Sequence, residues 1–203
     1  MRMALVYIVD DDPSVLRALG RLVRSAGHQV MSFSSADEFL QQTPANLPSC
    51  LVLDITMPGL TGMDLQDALV SAGHRLPIIF ITGHADVPVT VKAMKRGALD
   101  FLLKPFQDRD LLAVILQAIE KDIQQRKQAE EHGEIENRKN TLTQREREVF
   151  GLVTTGMLNK QIAAELGTSE KTIKVHRARV MGKMKANSLA ELVQLAERTK
   201  NSY

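Results

Sequence analysis

Within the first 120 residues, five short apolar runs alternate with stretches of helical period, and this alternation limits the fold more than any other feature of the chain. The runs cover residues 5–9, 30–33, 50–53, 78–81 and 99–103. They are almost purely apolar, as strands are when both faces of their sheet are covered. Between them apolar residues recur every three or four positions, as in Val15, Leu16, Leu19, Leu22, Val23 and Ala26. Asp12-Pro13 gives that helix a cap and a first-turn proline, and Gly27 closes it. Ser35 and Glu38 have capping-box spacing ahead of Phe39 and Leu40. Residues 63–70, 87–96 and 108 onward read as three further helices. The pattern predicts an α/β fold, a doubly wound five-stranded parallel sheet with helices on both faces.

In such sheets the ligand site lies beyond the carboxyl ends of the strands. Asp10, Asp11 and Asp12 follow the first run, Asp54 the third, Thr82 the fourth and Lys104 the fifth. In the flavodoxin-like strand order 2-1-3-4-5, strands one and three are neighbours, which sets Asp54 beside Asp10 and Asp11. Crowded carboxylates repel unless a cation joins them, and oxygen-only ligands suit Mg²⁺. A carboxylate can attack phosphorus to give an aspartyl phosphate. Mg²⁺ would neutralise the phosphoryl oxygens, Lys104 would add a fixed positive charge, and the Thr82 hydroxyl would donate to a phosphoryl oxygen. Singly, each residue has a plainer reading, since acids after strands cap turns and most lysines are solvated. Their joint occurrence at four strand ends favours the chemical reading.

Residues 121–140 change character, with only Ile123, Ala129 and Ile135 apolar. They read either as an exposed extension of the fifth helix that becomes a linker near Gly133, or as a disordered tether. From Thr141 the pattern is all helical, with candidate helices at 143–155, 159–166, 169–185 and 188–198. The expected division is therefore 1–120, a linker at 121–140, and a four-helix domain at 141–203. Charge follows it: residues 1–120 carry a net −3 and residues 141–203 a net +5, so only the back half is expected to meet a polyanion. Its third helix holds Lys171, Lys174, Arg177, Arg179, Lys183 and Lys185, with Ile173, Val180 and Met184 as its apolar stripe. Two short helices joined at Gly167-Thr168-Ser169, the second basic, describe a helix-turn-helix whose second helix enters the major groove. The plainer reading is a helical bundle with a solvated basic face.

The longest aliphatic run, residues 111–116, falls far short of the ~20 residues of a membrane span. The opening residues reach three acids too soon for a signal peptide. A lone cysteine, Cys50, sits in an apolar run and is expected to be a buried strand residue. A reducing cytoplasm fits these features.

The segments IVDDDPSVLRALGRLVRSAG, LVLDITMPGLTGMDL, IIFITGHADV and KRGALDFLLKPF resemble the receiver domain of bacterial two-component response regulators over residues 3–120. The resemblance implies Asp54 as phosphoacceptor for a histidine kinase. It implies Asp11 as direct Mg²⁺ ligand, Asp10 as a largely water-mediated one and the Thr56 carbonyl as another. Thr82 matches the switch hydroxyl, Lys104 the family's lysine, and the Lys104-Pro105 bond is expected to be cis. Phe101 stands at the rotating aromatic position where tyrosine is commoner, so the tyrosine's hydrogen bond does not carry over. Positions matching Thr56 and His84 tune loss of the phosphoryl group in receivers, and an exposed-loop reading of His84 stands beside that one.

LTQREREV, NKQIAAELG and TIKVHRARVMGKM resemble the LuxR-type DNA-binding domain of the FixJ and NarL groups, across residues 142–196. ITGHADV and HRARVM favour the FixJ side. By that resemblance Lys174 and Val175 approach bases or adjacent phosphates, while Lys171, Thr172, His176 and Arg179 are further contacts to promoter DNA. Ala178 stands where some NarL-like members place another lysine, so their base preference is not transferred. The expected function is a phosphorylation-dependent transcriptional regulator that dimerises near Val91, Lys95, Arg96 and Phe101, with RNA polymerase a candidate partner. The alternative is a phosphorylation-independent regulator whose receiver only dimerises. A dedicated aspartyl-phosphate phosphatase is disfavoured, because Thr56 stands where its second acid would be.

Overall fold

A computed structural model describes residues 3–43, 45–83 and 87–200. The chain forms two compact units, Met1–Arg126 and Lys127–Tyr203. In the first, β1 (Leu5–Val9), β2 (Gln29–Phe33), β3 (Ser49–Asp54), β4 (Ile78–Thr82) and β5 (Asp100–Leu103) pair in parallel, in the order β2-β1-β3-β4-β5. The helices of this unit are α1 (Pro13–Ser25), α2 (Ala36–Leu40), α3 (Gly62–Ser71), α4 (Val87–Lys95) and the first part of α5 (Asp108–Asn140).

Alternation along each strand sends side chains to two separate cores. Tyr7, Val9, Leu51, Leu53 and Phe80 pack with Phe39, Leu65 and Ala93 on one face. Val6, Ile8, Val52, Ile79 and Ile81 pack with Leu19, Val23, Leu111 and Ile115 on the other. Each fully buried side chain of this kind stabilises the fold by about 1.5–3 kcal/mol. Two-sided burial of β1, β3 and β4 is why those runs contain so few polar residues, while the edge strands β2 and β5 are more exposed. Asp12 caps α1 as expected, its carboxylate accepting the Ser14 N–H, and Gly27 takes φ 85° just past the helix end. Cys50 is fully buried in β3, and burial beside Asp122 pushes its thiol up to about 12.

The second unit packs α6 (Gln144–Thr154), α7 (Asn159–Glu165), α8 (Glu170–Met184) and α9 (Leu189–Lys200) around Val149, Ile162, Ile173, Val180, Met184 and Leu192. Of the two readings of residues 121–140, helix prevails, and it continues past Gly133 to Asn140. A helical glycine costs about 1 kcal/mol relative to alanine. Burial of Ile135 and the Arg138–Glu134 pair offset that cost. No helix among the described residues is long and apolar enough to cross a membrane.

Candidate functional site

At the carboxyl edge of the sheet, β1 and β3 lie side by side with Val9 level with Leu53, so the residues that follow emerge together. Asp10 and Asp54 are both buried there. Lys104, just beyond β5, reaches between them: its Nζ lies 2.7 Å from Asp10 Oδ2 and 2.8 Å from Asp54 Oδ1. The second oxygen of Asp54 accepts the Thr56 N–H at 2.8 Å, and that of Asp10 accepts the Asp12 N–H at 2.9 Å. Burial pushes the Asp54 carboxyl above its usual range, Lys104 pulls against that shift, and the nearby Asp10 adds to it. The Lys104 ammonium, held by the two acids, is raised despite its burial.

Two acids beside one ammonium leave residual negative charge, which suits a further cation. Asp11 is exposed at the same edge, as is Thr56. Among the described residues no three acidic, histidine or cysteine side chains converge into a metal cage, and Lys104 stands between Asp10 and Asp54. An oxygen-only set with few protein ligands is what Mg²⁺ takes, since it keeps several waters.

Thr82 ends β4 and is buried, and its carbonyl accepts the Lys104 N–H at 2.7 Å. The Lys104-Pro105 bond is cis. Phe101, in β5, is half-buried against the core that contains Phe80. His84 lies outside the described residues. Val91 and Lys95 are exposed on α4, whereas Arg96 is half-buried and pairs with Asp67 of its own unit. Sequence reasoning missed Gly62. A Cβ there would collide with the Asp54 carbonyl oxygen, so only glycine lets the loop after β3 close against the acid.

In the second unit Gly167 takes φ 61° between α7 and α8, and the Ser169 side chain caps α8 by accepting the Thr172 N–H. Ile173, Val180 and Met184 turn inward. The opposite face carries Lys171, Lys174, Val175, Ala178 and Arg179, all exposed, at the three- and four-residue spacing that shares a helix surface. Thr172 and His176 are half-buried at its margin. Val175 is 46% exposed, an apolar side chain on a basic face, and can meet a thymine methyl. Arg177 bonds Asn159 of α7 at 3.1 Å and so braces the two helices. Also missed was Glu146, buried at the start of α6, which accepts the Thr143 N–H at 2.9 Å and holds Lys183 of α8. Its signal was present, since Thr143 and Glu146 have capping-box spacing.

A doubly wound sheet with a lysine bridging two acids at its carboxyl edge, followed by a helix-turn-helix, defines a receiver protein with a DNA-binding output. The family described as response regulator receiver domain matches residues 6–116, and that of bacterial regulatory proteins, luxR family, matches residues 140–196. Nodulation protein W of Bradyrhizobium diazoefficiens is 48% identical over 194 residues, 96% of this chain and 86% of that protein. Transcriptional regulatory protein FixJ of the same species is 44% identical over 193 residues, 95% of this chain and 94% of that one. The solved structure of response regulator StyR superposes with TM-score 0.84 at 44% identity, over 98% of this chain and all of that one. The chain therefore belongs to the response regulators, with a receiver domain and a LuxR-type DNA-binding domain, and acts in transcription regulation.

Proposed function

We propose that the chain is a phosphorylation-dependent regulator of promoters, in which Asp54 accepts a phosphoryl group from a histidine kinase. Residues 1–120 form the receiver in this reading, 121–140 a helical linker and 141–203 the DNA-binding domain. The observation that carries it is the Asp10–Lys104–Asp54 cluster, a buried carboxylate held at an edge that the fold leaves for ligands. Asp54 supplies the nucleophilic oxygen. Lys104 follows the negative charge onto the phosphoryl oxygens, and the Thr82 hydroxyl donates to one of them. Mg²⁺, when bound, supplies charge neutralisation, with Asp10, Asp11, Asp54 and the Thr56 carbonyl to hold it. Turning of Thr82 and Phe101 would then pass the change to α4 and β5, where a second copy docks.

On DNA, α8 enters the major groove with Lys174 and Val175 toward base edges and Lys171, Thr172, His176 and Arg179 toward the backbone. Asp54→Asn keeps the shape but removes the nucleophile, and is expected to abolish labelling by a kinase or a small phosphodonor. Labelling at the wild-type rate would remove Asp54 from the role. Lys174→Ala is expected to weaken DNA binding by about 1–3 kcal/mol if the lysine meets a base. Gel shifts with and without a phosphoryl mimic, across a salt series, check both the dependence on phosphorylation and the electrostatic share of binding.

A further inference from the structure

The last turn of α8 departs twice from what a helix favours. Lys185 ends it at φ 55° and ψ 38°, in the left-handed region. The turn requires that conformation. The Lys185 N–H bonds the Gly182 carbonyl at 3.2 Å and the Ala186 N–H bonds the Met181 carbonyl at 3.0 Å, which closes the helix over the buried Ala186. Glycine adopts such a φ without a steric penalty, and every other positive φ among the described residues belongs to a glycine. Three residues earlier the reverse holds. Gly182 lies inside the helix, where glycine is a poor helix former, and a Cβ there would meet nothing within 4 Å. A side chain stands where glycine is favoured, and glycine stands where a side chain is favoured.

Both positions lie on one surface. At about 100° per residue, Val175, Ala178, Gly182 and Lys185 fall within roughly 80° of arc, and all four are exposed. Along this stripe the side chains shrink from Val175 to Ala178 to none at Gly182, so the helix backbone is bare just before Lys185. Lys185 forms no ion pair among the described residues, whereas Lys183 is held by Glu146. Eleven residues at about 1.5 Å each set Lys185 roughly 16 Å along the axis from Lys174. The major groove is about 12 Å wide. A helix that meets base edges with its N-terminal residues therefore carries its last turn past them, to the phosphates of the groove wall.

We propose that Gly182 and Lys185 form a phosphate clamp at the far end of α8. The bare backbone at Gly182 admits a DNA phosphate close to the helix, and the Lys185 ammonium pairs with it. The carbonyl end of a helix repels an anion, so a phosphate there needs the cation that Lys185 supplies. The clamp rests on the reading of α8 as the helix in the groove, and adds a contact that carries no base preference. Both departures then give up local stability for one ligand, as functional positions do. A lysine at a helix C-terminus also suits the helix dipole, but that plainer role leaves DNA binding untouched and leaves Gly182 without a reason.

The test uses the full-length chain and a duplex that the wild type selects from a random-sequence pool, with a phosphoryl mimic and Mg²⁺ present throughout. Lys185→Gly is expected to lower affinity about fivefold or more at low salt, and to reduce the slope of log affinity against log salt by about one per copy bound. Without DNA, the unfolding midpoint of its second unit should not fall. Lys185→Asn, which tolerates the left-handed backbone, should lose affinity equally, and Lys185→Arg should restore both affinity and slope. Gly182→Ala is expected to raise the midpoint and weaken DNA binding. Phosphates are then made neutral one at a time as methylphosphonates, and the Lys185→Gly loss should disappear at one position in each half-site. An unchanged salt slope for Lys185→Gly, a loss that is the same at every neutralised phosphate, or unaltered affinity of Gly182→Ala would each overturn the proposal. If Lys174→Ala weakens binding while the Lys185 variants do not, the clamp alone fails. If the wild type selects no duplex, the reading of α8 fails and the clamp with it.

Discussion

Asp54 is buried against Lys104 in the first unit, as Glu146 is against Lys183 in the second. Both are at most 5% exposed. Their environments nevertheless act in opposite directions. Glu146 sits in a capping box, where the Thr143 N–H and the lysine both donate to it, and its carboxyl falls to about 2. Asp54 is raised chiefly by burial, and the second acid that shares its lysine, Asp10, adds to the shift. A lysine beside a buried acid thus says little until the other neighbours are counted. Glu146 is arranged so that its charge is cheap to keep, which suits a residue that fastens α6 to α8. The charge on Asp54 remains costly, which suits a group meant to be neutralised by something that arrives.

Removing the shared lysine gives the largest expected effect. Lys104→Met leaves Asp10 and Asp54 facing each other in a buried site with no cation. Breaking a buried pair from one side costs about 3–5 kcal/mol, and the partial exposure of Lys104 favours the lower end. A proton can replace the lost ammonium, so the deficit should shrink as pH falls and one acid is neutralised. Hydrogen exchange in β1 and β3 between pH 7 and 5 checks this. A deficit independent of pH would mean that the two acids do not feel one another.

Glu146→Gln gives the next largest effect. It keeps the shape and an acceptor for the Thr143 N–H but loses the charge toward Lys183. A hydrogen bond to a charged group contributes about 1.5–3 kcal/mol, so exchange in α6 and α8 should rise accordingly. Because the folded carboxyl is lowered, its stabilisation is complete above about 4.5 and disappears as pH falls through about 2. The wild-type second unit should therefore lose stability across that window, and the variant should lose less. Parallel acid curves would show that Glu146 acts by shape alone.

The same comparison explains what the sequence disclosed and what it withheld. The sheet was legible because burial on both faces strips strands of polar residues, leaving runs such as residues 50–53 with an acid directly behind them. Parallel pairing then brings the ends of β1 and β3 together with no information beyond strand order. The place of Lys104 after β5 predicted a fixed positive charge at this edge, but its position between Asp10 and Asp54 is a tertiary contact across 94 and 50 positions that no local pattern records. Glu146 was harder. Its capping partner is three positions away, but Lys183 is 37 positions away, and no local pattern records that contact. Gly62 reads as one more loop glycine until the Asp54 carbonyl is seen against it. Gln66 occupies an inward position on α3 that a polar residue conceals from hydrophobic periodicity. Residues 127–140 hold their helix through Ile135 and charged pairs such as Arg138–Glu134, each pair contributing a few tenths of a kcal/mol. Contributions that small do not separate a helix from a tether by inspection.

The smallest expected effect is also the sharpest test of the contrast, because it reverses sign. Asp54→Asn removes the proposed phosphoacceptor, yet it should make the first unit slightly more stable when divalent ions are chelated. A folded carboxyl that is raised binds its proton more tightly than the unfolded chain does, so above that range the folded anion is a net cost. Asparagine removes this cost while keeping one oxygen for Lys104. The unfolding transition of the first unit should rise at pH 7, and the rise should vanish at acidic pH, where the wild-type aspartate is itself protonated. Added Mg²⁺ should narrow the difference from the other side, since it favours the wild-type charge over the neutral amide. Calorimetry of the full chain in chelator and in Mg²⁺ measures all three. If Asp54→Asn instead lowers the transition in chelator, as Glu146→Gln is expected to do in the second unit, then Lys104 satisfies Asp54 as fully as Lys183 satisfies Glu146. The site would then be a structural ion pair with no charge left over for a phosphoryl group or a metal ion to resolve.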